Sequence, residues 1–92
     1  MKYKIYKAIF KMNTDKSVEK CLEYNLVGVA YGLSNAFFVF DNYLTDEIEK
    51  LDLDEETAEG EPFNGIIENA IFWNKEGTMR YFYYIMKEAD NE

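Results

Sequence analysis

Residues 2 to 12, KYKIYKAIFKM, interleave β-branched and aromatic residues with lysines at a period near two, which predicts a β-strand. The lysines change phase between the pair Lys2 and Lys4 and the pair Lys7 and Lys11, and one face of a regular strand does not hold both. That predicts a bulge in this strand or an edge position, where lysine discourages strand addition. Asn13-Thr14-Asp15 breaks the alternation. Beyond it Val18, Cys21 and Leu22 recur at helical spacing, with Lys16, Glu19, Lys20 and Glu23 opposite, so a short amphipathic helix is expected, ended by Asn25. Cys21 would then face the core.

Leu26 to Leu33, LVGVAYGL, is apolar throughout and predicts a buried strand in which Gly28 and Gly32 permit close packing. The Gly-x-x-x-Gly spacing lacks the Lys-Ser/Thr of a phosphate-cradling loop. From Ser34 to Leu53 two readings compete. Phe37 to Phe40 is a β-favouring run, which gives a strand followed by a short helix capped by Thr45, with Asp46, Glu47 and Glu49 at the positive end of its dipole. Alternatively Phe37, Phe40, Leu44, Ile48 and Leu51 form one stripe of a long helix that starts near residue 35, with Ser34 as its cap. The first reading is preferred. Residues 54 to 65, DEETAEGEPFNG, have no apolar period and predict a long loop.

The strongest pattern is IIENAIFW, a four-residue NKEG link, and TMRYFYYIMK, over residues 66 to 87. It predicts a β-hairpin with Gly77 in the left-handed position. Along its second strand Met79, Tyr81, Tyr83 and Ile85 alternate with Phe82, Tyr84 and Met86, so both faces are apolar. Such a strand is central and covered on both sides, or it leaves one aromatic face for a partner. Glu88 to Glu92 reads as a frayed polar tail. Together these elements predict an α+β fold: an antiparallel sheet of about four strands with one or two helices packed on one face, in a single domain over residues 1–92.

Charge changes the picture most. The net charge is −8, yet residues 1 to 20 carry +4 and residues 41 to 61 carry −9, with ten carboxylates against Lys50 alone. A field of this sign repels nucleic-acid phosphates and favours partners with basic surface. Eight Tyr, seven Phe and one Trp mark a folding sequence, not a disordered acidic tail. With no histidine and Cys21 as the one cysteine, the chain holds no Cys/His zinc site, no Ser-His or Cys-His pair and no internal disulfide. No apolar run reaches membrane-spanning length. The expected location is the cytoplasm, where a lone cysteine stays reduced.

Asp52, Asp54 and Glu56 alternate as the first ligands of a calcium loop do, but Thr57 and Phe63 stand where such a loop needs glycine and a bidentate glutamate. No metal, cofactor or catalytic residue is therefore expected. Glycosidase-type chemistry needs two carboxyls at fixed distance in a cleft, which an exposed acidic run does not offer. Two readings remain for the acids: a solvated face that serves solubility, or a docking surface for a basic partner made by Asp41, Asp46, Glu47, Glu49, Asp52, Asp54, Glu55 and Glu56. Trp73, Tyr81, Tyr83 and Tyr84 are the candidates for an aromatic interface, including one between two copies in a homodimer. A base-stacking role would need a positive field, so direct nucleic-acid binding is not expected.

In size, charge and aromatic content the chain resembles the small acidic inhibitors that phages and mobile elements direct against bacterial defence nucleases, the anti-CRISPR and DNA-mimic proteins. That resemblance implies a non-enzymatic inhibitor whose acidic surface blocks a basic, nucleic-acid-processing protein. Separately, residues 25–32 (NLVGVAYG), 70–77 (AIFWNKEG) and 81–85 (YFYYI) resemble the EVE branch of the PUA-like barrels, which implies a truncated reader of modified bases.

Overall fold

The computed structural model describes residues 1–56 and 66–88. The chain runs β1 (Lys2–Met12), β2 (Val18–Tyr31), α1 (Leu33–Leu51), β3 (Asp54–Glu56), β4 (Ile66–Trp73) and β5 (Met79–Lys87). The strands make one antiparallel sheet in the order β2-β1-β5-β4-β3. It is an α+β fold of one sheet and one helix among the described residues. Two hairpins, β1-β2 and β4-β5, join along their first and last strands, and α1 carries the chain from one sheet edge to the other.

β1 is a strand as expected, but it is neither an edge nor bulged against β5, with which its register is unbroken from Tyr3↔Lys87 to Lys11↔Met79. The bulges lie in its other partner. Against β1, the register skips Val27, Leu22 and Glu19 of β2. Each skipped residue shifts the alternation by one position. That is why Val18, Cys21 and Leu22 fall at helical spacing in what is a continuous strand. The helix expected over this segment does not form, and Cys21 is exposed on the outermost strand instead of buried. Its turn, Asn13 to Ser17, is closed by backbone bonds from Asn13 N–H to Ser17 O at 2.8 Å and from Lys16 N–H to Asn13 O at 3.0 Å, and Lys16 takes φ 68°.

Residues 33 to 51 form the single long helix, not the preferred strand and short helix. Packing decides this. Ala36 and Phe40 are buried on the sheet, and Phe37, Tyr43, Leu44, Ile48 and Leu51 pack around them, so the helix buries a full apolar stripe where a strand would expose half of Phe37 to Phe40. Neither Ser34 nor Thr45 caps it. Gly32, at φ 88°, is the N-cap without a side-chain bond, and Asn35 Nδ2 donates back to Tyr31 O at 2.8 Å. Thr45 Oγ1 donates to Asp41 O within the helix. At the other end Asp52 adopts the left-handed conformation, φ 53°, and its N–H reaches Ile48 O.

The core lies between α1 and one face of β1, β5 and β4: Tyr3, Ile5, Phe72, Tyr81, Tyr83 and Ile85 meet Ala36 and Phe40. Helix and sheet approach closely over Gly28, whose added Cβ would lie 3.5 Å from Val39. The 66–87 hairpin forms as the pattern predicts, with Gly77 at φ 73° and Asn74 Oδ1 accepting from the N–H groups of Thr78 and Met79 at 2.8 and 3.0 Å. β5 is the central strand, covered by α1 on one face. The long loop expected over residues 54–65 begins as strand β3, and its remainder, 57–65, lies outside the described residues, as do 89–92 of the expected tail. No described helix is long and apolar enough to cross a membrane.

Candidate functional site

The packing of α1 sorts its acids. The face turned from the sheet presents Phe38, Asp41, Asn42, Thr45, Asp46 and Glu49, all exposed. Among the described residues, no side chain forms an ion pair or hydrogen bond with the carboxylates of Asp41, Asp46 or Glu49. Because the helix starts at Leu33, Asp46 and Glu49 sit in its last two turns, at the negative end of the dipole, with Lys50 the one base of the last turn. The sequence placed them at the positive end. Their real position costs stability.

Asp52, Asp54 and Glu55 continue the acidic surface beyond the helix end. Lys75, from the β4-β5 link, contacts Asp54 at 2.5 Å and Asp52 at 3.9 Å, and the hydrogen bond to Asp54 holds its ammonium above the usual lysine range. Glu56 pairs with Ile71 on the short edge strand β3.

Glu47 departs from this set. It points into the helix-sheet interface, its side chain 9% exposed, and receives Lys7 Nζ at 2.5 Å and Tyr43 Oη at 2.8 Å on the same Oε1. The out-of-phase lysine of β1 is thus the counter-ion of a buried helical carboxylate. Glu47 is a structural group and not part of the exposed acidic surface. Burial, with Glu47 adjacent, pushes the Tyr43 and Tyr83 hydroxyls well above the ordinary tyrosine range.

Of the four expected interface aromatics, Tyr81 and Tyr83 belong to the core beneath α1, because odd positions of β5 face the helix. Tyr83 is fully buried. Tyr84 and Trp73 lie on the opposite sheet face. There Tyr24, Tyr6, Tyr84 and Phe82 form a ladder across β2, β1 and β5, with successive ring centroids 5.7, 5.2 and 5.3 Å apart. The hydroxyls of Tyr24 and Tyr84 share a hydrogen bond, and burial, together with that bond, raises the Tyr84 pKa. Trp73 packs under the Arg80 guanidinium, 5.8 Å from the ring centroid.

Sequence reasoning missed Phe38 and the partners of Tyr84. Phe38 is 68% exposed, and it falls outside the Phe37, Phe40, Leu44 stripe, which is the signal that marks it. Tyr6 and Tyr24 become neighbours only once the β1-β2 register is known. Among the described residues no group of three or more acids and cysteines is placed to hold a metal ion. No family model, curated protein or solved structure matches the chain.

Proposed function

We propose that this protein is a non-enzymatic inhibitor that docks the exposed face of α1 on the basic surface of a nucleic-acid-processing protein and blocks it. The reading is of the anti-CRISPR or DNA-mimic kind, acting in the cytoplasm of a bacterial host. The observation that carries it is the set Asp41, Asp46 and Glu49, unpaired on the same helix face as an exposed Phe38, with Glu49 in the last turn where the helix dipole opposes it. A face that served solubility alone would be served as well by acids in the first turn, where this helix has none.

The spacing supports mimicry of one strand. At a rise of ~1.5 Å per residue, Asp41 to Asp52 spans about 16 Å and carries four carboxylates at Asp41, Asp46, Glu49 and Asp52. A nucleic-acid strand places one phosphate per ~3.4 Å of axis, roughly five over that length. With Lys50 inside that span and Lys75 beside Asp52, the helix face carries about half the net charge of a single strand and falls well short of a duplex. Fixed on a helix, these charges lose little conformational freedom on binding, and Phe38 supplies an apolar anchor among them.

The test is affinity capture from a bacterial lysate with the parent and with Asp41→Lys/Asp46→Lys/Glu49→Lys, followed by an activity assay of the captured protein. The parent should retain a nucleic-acid-processing protein at low salt, release it as salt rises and inhibit it, and the variant should do none of these. Equal capture by both chains would sink the proposal.

A further inference from the structure

The two edges of the sheet differ. One is β3, three residues long and wholly acidic, so shortness and charge close it to a further strand. The other is β2, the longest strand at 14 residues, and no described element pairs with its outer side. Of the nine large apolar side chains exposed among the described residues, six belong to β2, and Met1 and Leu33 flank its C-terminal end, so exposed apolar surface gathers along this edge. Charge divides the strand. Glu19, Lys20 and Glu23 stand in its first half together with two of the three bulges, features that blunt an edge, whereas residues 24–31, YNLVGVAY, carry no charge. That stretch exceeds the usual strand length of ~5 to 6 residues, enough for a ladder of its own.

The third bulge sits in the middle of the uncharged stretch. Tyr24, Leu26, Val29 and Tyr31 pair with Ala8, Tyr6, Lys4 and Lys2, the even positions of β1, which face away from α1. Because the register skips Val27, these four β2 residues share one face although two are even and two odd. Their pattern is symmetric about the bond between Val27 and Gly28. We propose that a second copy of this chain adds to this edge, β2 antiparallel to β2, with the two-fold axis at that bond. Leu26 then stands opposite Val29 of the second copy, and Tyr24 opposite its Tyr31, each pair on one face as an antiparallel ladder requires. A regular strand has no two-fold register of this kind, since residues an odd number apart face opposite ways. An isologous contact needs every pairing to be returned, and this one returns each without setting like charges opposite each other. An extended segment of another protein meets the same unpaired backbone without calling for that symmetry, which is why a second copy is the occupant. The product is one continuous sheet through both chains.

Sedimentation equilibrium of the parent across the micromolar range tests this, beside Leu26→Lys/Val29→Lys and Leu26→Lys/Val29→Glu, at positions 50% and 41% exposed. The first variant sets lysine against lysine across the axis, and the second sets lysine against glutamate. The expected result is a parent at twice the chain mass, the first variant at the chain mass with unchanged circular dichroism, and the second at twice the chain mass again. Amide exchange gives a second readout from the parent alone, since pairing should slow exchange within residues 24–31 as concentration rises. A parent at the chain mass, a first variant that stays dimeric, two variants of equal mass, or a parent dimer without concentration-dependent protection of 24–31 overturns the proposal. Glu49→Lys, in the last turn of α1, should leave the mass unchanged, and a mass that fell with it would move the contact to the acidic face and overturn the proposal as well.

Discussion

Replacing Glu47 by leucine tests how α1 is held. The substitution removes the acceptor that Lys7 Nζ and Tyr43 Oη share and leaves the ammonium, 13% exposed, at the helix-sheet interface without its ion-pair partner, beside the Tyr81 ring 5.9 Å away. Stranding one member of a buried pair costs about 3 to 5 kcal/mol. Lysine's flexible stem lets the charge move toward water, which favours the low end, and the Tyr43 hydroxyl adds about 1 kcal/mol for its lost acceptor. A loss of about 3 kcal/mol is a large part of the ~5 to 14 kcal/mol that holds a chain of this size. At about 4 to 8 °C per kcal/mol it lowers Tm by roughly 15 °C. Urea and thermal unfolding followed by circular dichroism measure it. Lys7→Met/Glu47→Leu should regain most of the loss, because two apolar side chains leave no charge stranded. A single variant within about 1 kcal/mol of the parent, or a double variant no better than the single, would refute the view of the pair as the pin of α1.

Reversing the exposed acids separates binding from stability: Glu49→Lys, in the last turn, complements the helix dipole and should raise stability by about 0.3 to 1 kcal/mol in low-salt unfolding, Asp46→Lys, one turn further in, should change it by less than about 0.5 kcal/mol, and both should abolish partner capture. Gly77→Ala, at φ 73° with open space around its Cβ, should cost about 1 kcal/mol through the backbone alone, and Lys16→Gly, at φ 68°, should gain a similar amount in urea melts. The raised hydroxyl pKa values of Tyr43, Tyr83 and Tyr84 give stability that is complete below the unfolded tyrosine value of ~10 and lost as pH rises beyond it. Alkaline titration should therefore show tyrosinate absorbance rising together with loss of circular dichroism, and full tyrosine ionisation in a chain that stays folded would contradict it.

Where the pattern was regular, the sequence carried the fold. In the 66–87 hairpin β5 alternates regularly, the turn needs the left-handed conformation that Gly77 adopts, and both strands form as predicted, with one bulge in β4 between Ile66 and Glu68. β2 was illegible because three bulges reset its alternation, and a bulge is fixed by pairing with β1 and not by local propensity. In α1 the β-favouring run Phe37 to Phe40 outweighed the helical stripe, although that stripe alone buries Phe40, Leu44 and Leu51 on one side. One clue to the interface was present. Lys7 is out of phase in β1, and Glu47 falls between Tyr43 and Leu51 on the buried side of the helix stripe, so two opposite charges stood at core positions on different elements. The acidic run was visible as composition, but its division into exposed Asp41, Asp46 and Glu49, Lys75-bound Asp52 and Asp54, and buried Glu47 follows only from helix phase.

The prominence of the acidic helix face has its origin in the topology. With β1 and β5 at the middle of the sheet, α1 packs on one sheet face and covers their inward side chains. The helix is then the outermost layer, and whatever its solvent face carries becomes the most prominent surface of the molecule. Local stability would place bases, not acids, on the last turns of that layer and would not expose Phe38 at 68%. Both departures lie on the same face, about 12 to 16 Å apart along the helix, while the rest of the helix obeys packing rules. Departures from local preference gather at sites that serve a partner. The other sheet face makes no such departure: Tyr84 at the centre of its aromatic ladder is buried, and its hydroxyl is hydrogen-bonded to Tyr24. The charged, exposed face of α1 is therefore where the molecule departs most from what its own stability requires.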